Sequence, residues 1–255
     1  MNTRAAVLTS SSPRHRHFAA IMAQHFDLRL VLRQDKSAHR RQAGSSPAVL
    51  RHFAELDAEE RRVFPDAEWP SPPPLDVIDI NDALLPSRAM TEGVEVVLLF
   101  GTAILKAPWL DAFPNRIVNL HLGLSPFYRG SATLFWPFAQ GELECVGTTI
   151  HVAAAQVDAG PILARIKPSL RVGDSYYTIT NRLIHESIGR MPEIVQGFLR
   201  GTIQPVPQVP TSGRVWRRAD FDEAALQRAL SLMGPGLSES SIRLIQASER
   251  CRCSP

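Results

Sequence analysis

A chain of 255 residues holds one large domain, or one domain with a small appendage, and 44% hydrophobic residues is ordinary for a globular core. The formal charge of +3 is too slight to argue for nucleic-acid binding, and no apolar run approaches the roughly 20 residues that span a bilayer. The first residues carry too short an apolar piece for a signal peptide. Cys145, Cys251 and Cys253 are an odd number that suits a reducing compartment better than a disulfide framework, so the expectation is a cytoplasmic protein partnering neither membrane nor nucleic acid.

Ala5 to Thr9 predicts a first strand, broken by Ser10-Ser11-Ser12-Pro13. A helix from about Arg14 to His25 follows, with Phe18, Ile21, Met22 and Phe26 at helical spacing, and Leu28 to Leu32 predicts a second strand. This β-α-β opening argues for a parallel sheet with crossover helices. The serine loop lies where such folds receive anions, because a helix N-terminus offers free N–H groups. Ser10 and Arg14 are therefore candidates for an anionic substrate, the alternative being a solvated helix start. G-x-G-x-x-G is absent, so a dinucleotide site lacks support.

Gln34 to Ser46 is polar and basic and predicts a loop. Ala48 to Phe64 predicts a helix with Leu50, Phe53, Leu56 and Val63 inward and Glu55, Asp57, Glu59 and Glu60 on a solvated face. Pro65 to Pro74 predicts a surface crossing inside one domain. Leu75 to Ile80 predicts a strand, Asn81 an N-cap for a helix through Met90, and Val94 to Phe100 a central strand buried on both faces. Gly101 just after that strand lets backbone approach a ligand.

Arg116 to His121 predicts a short strand. Asn119 and His121, two apart, share one of its faces, and two polar groups there are costly unless that face opens to water or a ligand. Ser131 to Gln140 predicts a helix with Phe135, Trp136 and Phe138 in the core, entered through Arg129, a candidate for a substrate carboxylate or phosphate, the alternative being a structural ion pair. His151, in a strand from Thr148 to Val152, is expected to be a satisfied strand histidine and no second base. Asp158 stands in a turn fixed by Gly160 and Pro161. Ile162 to Leu170 predicts a strand, Asp174 the cap of a helix from Ser175 to Arg200, and Asp220 to Leu232 a short helix before a loosely ordered tail from Gly234. The expected division is a catalytic domain over 1–203 and a small extension over 204–255.

Asn119, His121 and Asp158 make a workable acyl-transfer set. An uncharged amide can donate to the oxygen of a tetrahedral intermediate, and an imidazole can take a proton from an attacking amine. A carboxylate can fix the imidazole's tautomer and raise its pKa. The bland alternative is a strand end with two satisfied polar residues and an Asp that starts a turn.

Several blocks in order, Val118-Asn119-Leu120-His121, S-P-F-Y-R-G at 125–130, F-A-Q-G-E-L-E-C-V-G-T-T-I-H at 138–151 and V-D-A-G-P-I-L at 157–163, resemble the folate-dependent formyltransferase family. That family includes the glycinamide ribonucleotide, methionyl-tRNA and sugar N-formyltransferases. The likeness runs from Val94 to Leu170. It implies the formyltransferase fold, an α/β, Rossmann-like, mostly parallel sheet flanked by helices, with Asn119, His121 and Asp158 catalytic. It also implies 10-formyltetrahydrofolate as donor and a pterin pocket lined by Phe100, Gly101, Ile104, Leu105, and Ala154 to Val157; metal-ligand spacings are absent from the sequence, so no metal is expected. Where the family often reads H-P-S-L-L-P, this chain has His121-Leu122-Gly123-Leu124-Ser125-Pro126, which changes the loop facing the amine.

The expected acceptor is a small-molecule amine. Too little chain follows Gly201 for a methionyl-tRNA enzyme's C-terminal domain, and a glycinamide ribonucleotide enzyme should carry a glycine-rich loop near the start. A nucleotide-linked amino sugar therefore stands ahead of an amino-acid-type amine. A hydrolase releasing formate from the same folate and an inactive folate-binding module remain as alternatives, and a homodimer is a further expectation.

Overall fold

The computed structural model describes residues 2–35, 46–64, 68–209, 214–234, 236–248 and 251. Its centre is β4 (Val96–Leu99), four apolar residues all buried. Such a strand needs cover on both faces, which a parallel sheet with crossover helices supplies. A seven-stranded sheet runs in the order β3-β2-β1-β4-β5-β7-β8, with β1 Arg4–Thr9, β2 Asp27–Arg33, β3 Leu75–Asp76, β5 Ile117–His121, β7 Thr148–Val152 and β8 Ile162–Ile166. The first five in that order are parallel; β7 is antiparallel to β5, and β8 to β7. This is the predicted α/β, Rossmann-like, mostly parallel sheet.

The two-residue period sorts the strands into two cores. Ala5, Val7, Val96, Leu98, Val118 and Leu120 face one core; Ala6, Leu8, Val97, Leu99 and Ile117 face the other. Helices α1 (Pro13–His25), α2 (Pro47–Val63) and α6 (Tyr176–Leu199) pack on the first side, and α3 (Leu84–Thr91) and α4 (Ala107–Ala112) on the second. After α6 the chain returns to the sheet. Its β9 (Val215–Trp216) pairs with β6 (Arg129–Gly130) in a parallel ribbon, α7 (Glu223–Met233) packs on α5 (Trp136–Gln140), and α8 (Glu239–Ala247) follows.

Several expectations are corrected. Asn81 caps no helix: α3 begins at Leu84, and the Asn81 amide bridges the Ile104 carbonyl and the Lys106 N–H. The expected strand from Leu75 shrinks to two edge residues. The aromatic helix begins only at Trp136, because Gly130 and Ser131 are engaged by β9 and Ala132 has φ 54°. Ser175, not Asp174, caps α6 through a capping box, while Asp174 pairs with Arg182. In α2 the buried residues are His52 and Glu60, and Leu50 is half exposed. Glu60 is drawn in because the Arg14 N–H donates to it at 3.2 Å and the Arg14 guanidinium lies 3.6 Å away.

The cysteine expectation also fails. Cys145 and Cys251 form a disulfide across 106 residues, tying the end of the chain to the short 3-10 turn Leu143–Cys145. Spacing that long says nothing about which thiols the fold brings together. The tail expected to be loose therefore carries α8 and a covalent tie. Cys253 and the predicted loop at 36–45 lie outside the described residues, as do 65–67 of the proline-rich crossing.

Candidate active site

β5 ends beside β4 at the carboxyl edge of the parallel strands, where open α/β sheets leave a crevice. Asn119 and His121 share the face that carries Ile117, as their spacing predicts. The antiparallel register sets Asn119 opposite His151 and His121 opposite Thr149. The turn between β7 and β8 then brings Asp158 back to the same point, held at φ 50°. Gly160 in that turn has no room for a side chain, since a Cβ would lie 1.8 Å from the Val152 oxygen.

The hydrogen bonds assign the protons. His121 Nε2 lies 2.9 Å from the Tyr128 carbonyl, which can only accept, so Nε2 carries the hydrogen of the neutral ring. Its bare Nδ1 faces Asp158 Oδ2 at 3.4 Å. The tautomer is thus set by Tyr128, where the sequence suggested Asp158; the carboxylate instead stands ready to stabilise a proton arriving at Nδ1. His151 donates from Nδ1 to the Val152 carbonyl at 2.9 Å, leaving Nε2 to accept from the Asn119 amide at 3.0 Å. That fixes the amide's orientation and leaves its second N–H for another acceptor. His151 is a satisfied strand histidine, as expected, yet its other nitrogen also lies 3.7 Å from Asp158 Oδ1, too long for a hydrogen bond but close enough for electrostatics. It belongs to the site, which the sequence did not indicate.

Burial sets the first direction of each pKa. It holds His121 below its ordinary 6.5 despite the neighbouring carboxylate, so the imidazole is neutral and able to take a proton at neutral pH. Burial alone would raise Asp158. His151, His121 and the Gly130 N–H, which donates at 2.9 Å, together outweigh it and hold the carboxyl below 3.8.

These groups open on a cavity of about 1330 Å³. Ser10, Arg14, Phe100, Gly101, Ile104, Leu105, Asn119, His121, Ala154, Val157 and Asp158 all line it. Arg129 does not; it lies in β6, and the neighbouring Gly130 lines the cavity in its place. One part of its wall, a backbone arm, is the loop after β4. Gly101 there has φ +79°, and a Cβ on it would stand 2.2 Å from His15 Nε2. Thr9 Oγ1 donates to the Phe100 carbonyl, Gln34 accepts from the Ala103 N–H, and Asn81 clamps Ile104 and Lys106, so this wall is backbone held from three sides.

Another part of the wall, called the side-chain arm, comes from distant elements. Phe53 and Leu56 come from α2, and Trp216, Arg217 and Phe221 from beyond residue 203. His52, Phe53, Phe135 and Phe221 form one ring cluster, with Phe135 and Phe221 centroids 5.0 Å apart. No sequence signal marked this arm, since its residues are ordinary core and surface types whose meeting depends on the fold. Among the described residues no group of three or more His, Cys, Asp and Glu is arranged to hold a metal, and no helix is long and apolar enough to cross a membrane.

Comparison with known proteins agrees with this fold. Residues 77–195 match the family model described as formyl transferase. A curated relative, the methionyl-tRNA formyltransferase of Hydrogenobaculum sp., is 26% identical over 189 residues, covering 74% of this chain and 57% of the relative. The chain thus spans little more than half of that protein. A sugar N-formyltransferase from Shewanella sp. superposes with a TM-score of 0.60 at 14% identity, covering 92% of this chain and 89% of that one. A glycinamide ribonucleotide transformylase from Symbiobacterium toebii gives 0.56 at 23% identity, covering 82% and 95%. Residues 77–195, a little under half of the chain, are thus similar to the formyl transferase family.

Proposed function

We propose that the chain transfers a formyl group from 10-formyltetrahydrofolate to a primary amine on a small metabolite, a nucleotide-linked amino sugar. The observation that carries the chemistry is the convergence of Asn119, His121 and Asp158 on one cavity with two differently built arms. The amine nitrogen bonds to the formyl carbon, and the carbonyl π pair moves onto oxygen, where the second Asn119 N–H donates to it. The nitrogen's proton passes to His121 Nδ1, and Asp158 stabilises the imidazolium. Collapse breaks the bond to the folate nitrogen, which leaves with a proton returned from His121.

On this reading the flat donor ring lies along the backbone arm, between Phe100–Leu105 and Ala154–Val157. The acceptor lies along the side-chain arm, beside Ser10 and Arg14. Phe53 and Phe221 offer faces to a planar base, and the exposed Arg217 offers charge to a diphosphate, which supports a nucleotide-linked acceptor over a bare amino acid. The catalytic part is 1–203, with 204–255 closing the acceptor arm. A cytoplasmic location and pairing of two copies belong to the same proposal, to be tested by fractionation and light scattering. Recovery of the chain only from a fraction where disulfides persist would overturn the cytoplasmic part, because Cys145 and Cys251 are bonded.

The test is incubation with 10-formyltetrahydrofolate and a panel of amino-sugar nucleotides and amino acids, following tetrahydrofolate release. Turnover with an amino-sugar nucleotide, lost in Asn119→Ala and Asp158→Ala, is expected. Formate released without any amine would make the protein a hydrolase. Folate binding without turnover on any acceptor would make it a binding module.

A further inference from the structure

The turn that carries Asp158 is braced from outside residues 77–195, the segment matched by the family. After α6, Val206 exchanges two backbone hydrogen bonds with Ile162, each 2.8 Å. Two residues on, Gln208 Nε2 donates to the Asp158 carbonyl at 2.9 Å and to the Gly160 carbonyl at 2.7 Å. Both amide hydrogens are thereby spent on one turn. Among the described residues Gln208 Oε1 is buried with no hydrogen-bond partner, and the two carbonyls fix the amide's orientation.

The turn needs such a brace. A non-glycine residue at φ 50° sits in the left-handed region and persists only where its surroundings hold it. The ladder of β7 and β8 ends before the turn, so it supplies no donor to either carbonyl. A second brace acts on the carboxylate end. β9 fixes Gly130, whose N–H holds Asp158 Oδ2, and a Cβ at Gly130 would lie 2.1 Å from the Trp216 oxygen.

We propose that Gln208 is a positioning residue, holding the Asp158 backbone so that its carboxylate stays against His121 Nδ1. This rests on the catalytic reading of Asp158 above. Gln208 touches neither reacting atom; it acts through the turn.

The experiment compares wild type with Gln208→Met, which keeps the length and loses the donors, and with Gln208→Asn, which keeps an amide. Gln204→Ala is the control, because Gln204 donates to the Gly201 carbonyl and not to the turn. The first readout needs no substrate: NMR titration of the His121 ring. Loosening Asp158 withdraws support from the imidazolium, so the His121 pKa should fall in Gln208→Met by about half a unit or more. Gln208→Asn should lie between, and Gln204→Ala should match wild type. The second readout is kinetic: kcat should drop about tenfold with both KM values unchanged, and the acid limb should move to lower pH. A His121 titration identical in wild type and Gln208→Met overturns the proposal, whatever happens to the melting temperature. If the wild type turns over no acceptor, the formyl-transfer reading fails while the titration still decides the role of Gln208.

Discussion

The two arms of the cavity are built from different material. The arm beside Phe100 to Leu105 is a loop whose backbone is pinned by Thr9, Gln34 and Asn81 and which passes a glycine that His15 leaves no room to replace. The arm beside α2 is side chain, rings and an arginine contributed by elements up to 168 residues apart in sequence, as from Phe53 to Phe221. Backbone groups are the same whatever residue carries them, so on the proposed reading the first arm holds the donor through groups that do not depend on side-chain type. Side chains can be exchanged one at a time, so on the same reading the second arm sets which acceptor is taken.

The largest expected effect lies at the junction and should respect neither arm. Asp158→Ala should lower kcat about 10³-fold with donor affinity unchanged, read by stopped assay and fluorescence titration. Wild-type turnover should fall on the acid side only below pH 6.5, because His121 titrates below its ordinary value while Asp158 stays ionised. An acid limb above 6.5 would remove His121 as the base.

Next comes pH stability of the acceptor arm. Burial pushes the His52 imidazole down to about 4 from 6.5. The unfolded chain then binds more protons between those values, so stability is full above 6.5 and declines as pH falls towards 4. The loss should be on the order of 2 kcal/mol, and His52→Phe should abolish that part of it in urea melts at pH 7 and 4.5.

Two smaller changes separate the arms. Gly101→Ala should raise the donor KM about tenfold, because a positive φ and the His15 ring both resist a Cβ, and leave the acceptor KM alone. Phe221→Ala should do the reverse, raising the acceptor KM about fivefold through lost ring contact. If either variant moves both constants equally, the division of the cavity is wrong.

What the sequence determined is local in origin. The two-residue period put Asn119 and His121 on one face, the apolar run made β4 central, and Gly101 marked the strand end that lines the cavity. The blocks from 118 to 163 carried the resemblance to the formyltransferase family, because several short motifs fall there in one order and spacing. Only the tertiary structure decided which distant groups meet: His151 opposite Asn119, Tyr128 setting the His121 tautomer, Glu60 drawn inward by Arg14, Cys145 bonded to Cys251, and Gln208 under the Asp158 turn. Strand register and chain return bring these pairs together, and neither leaves a periodic trace in the residues themselves.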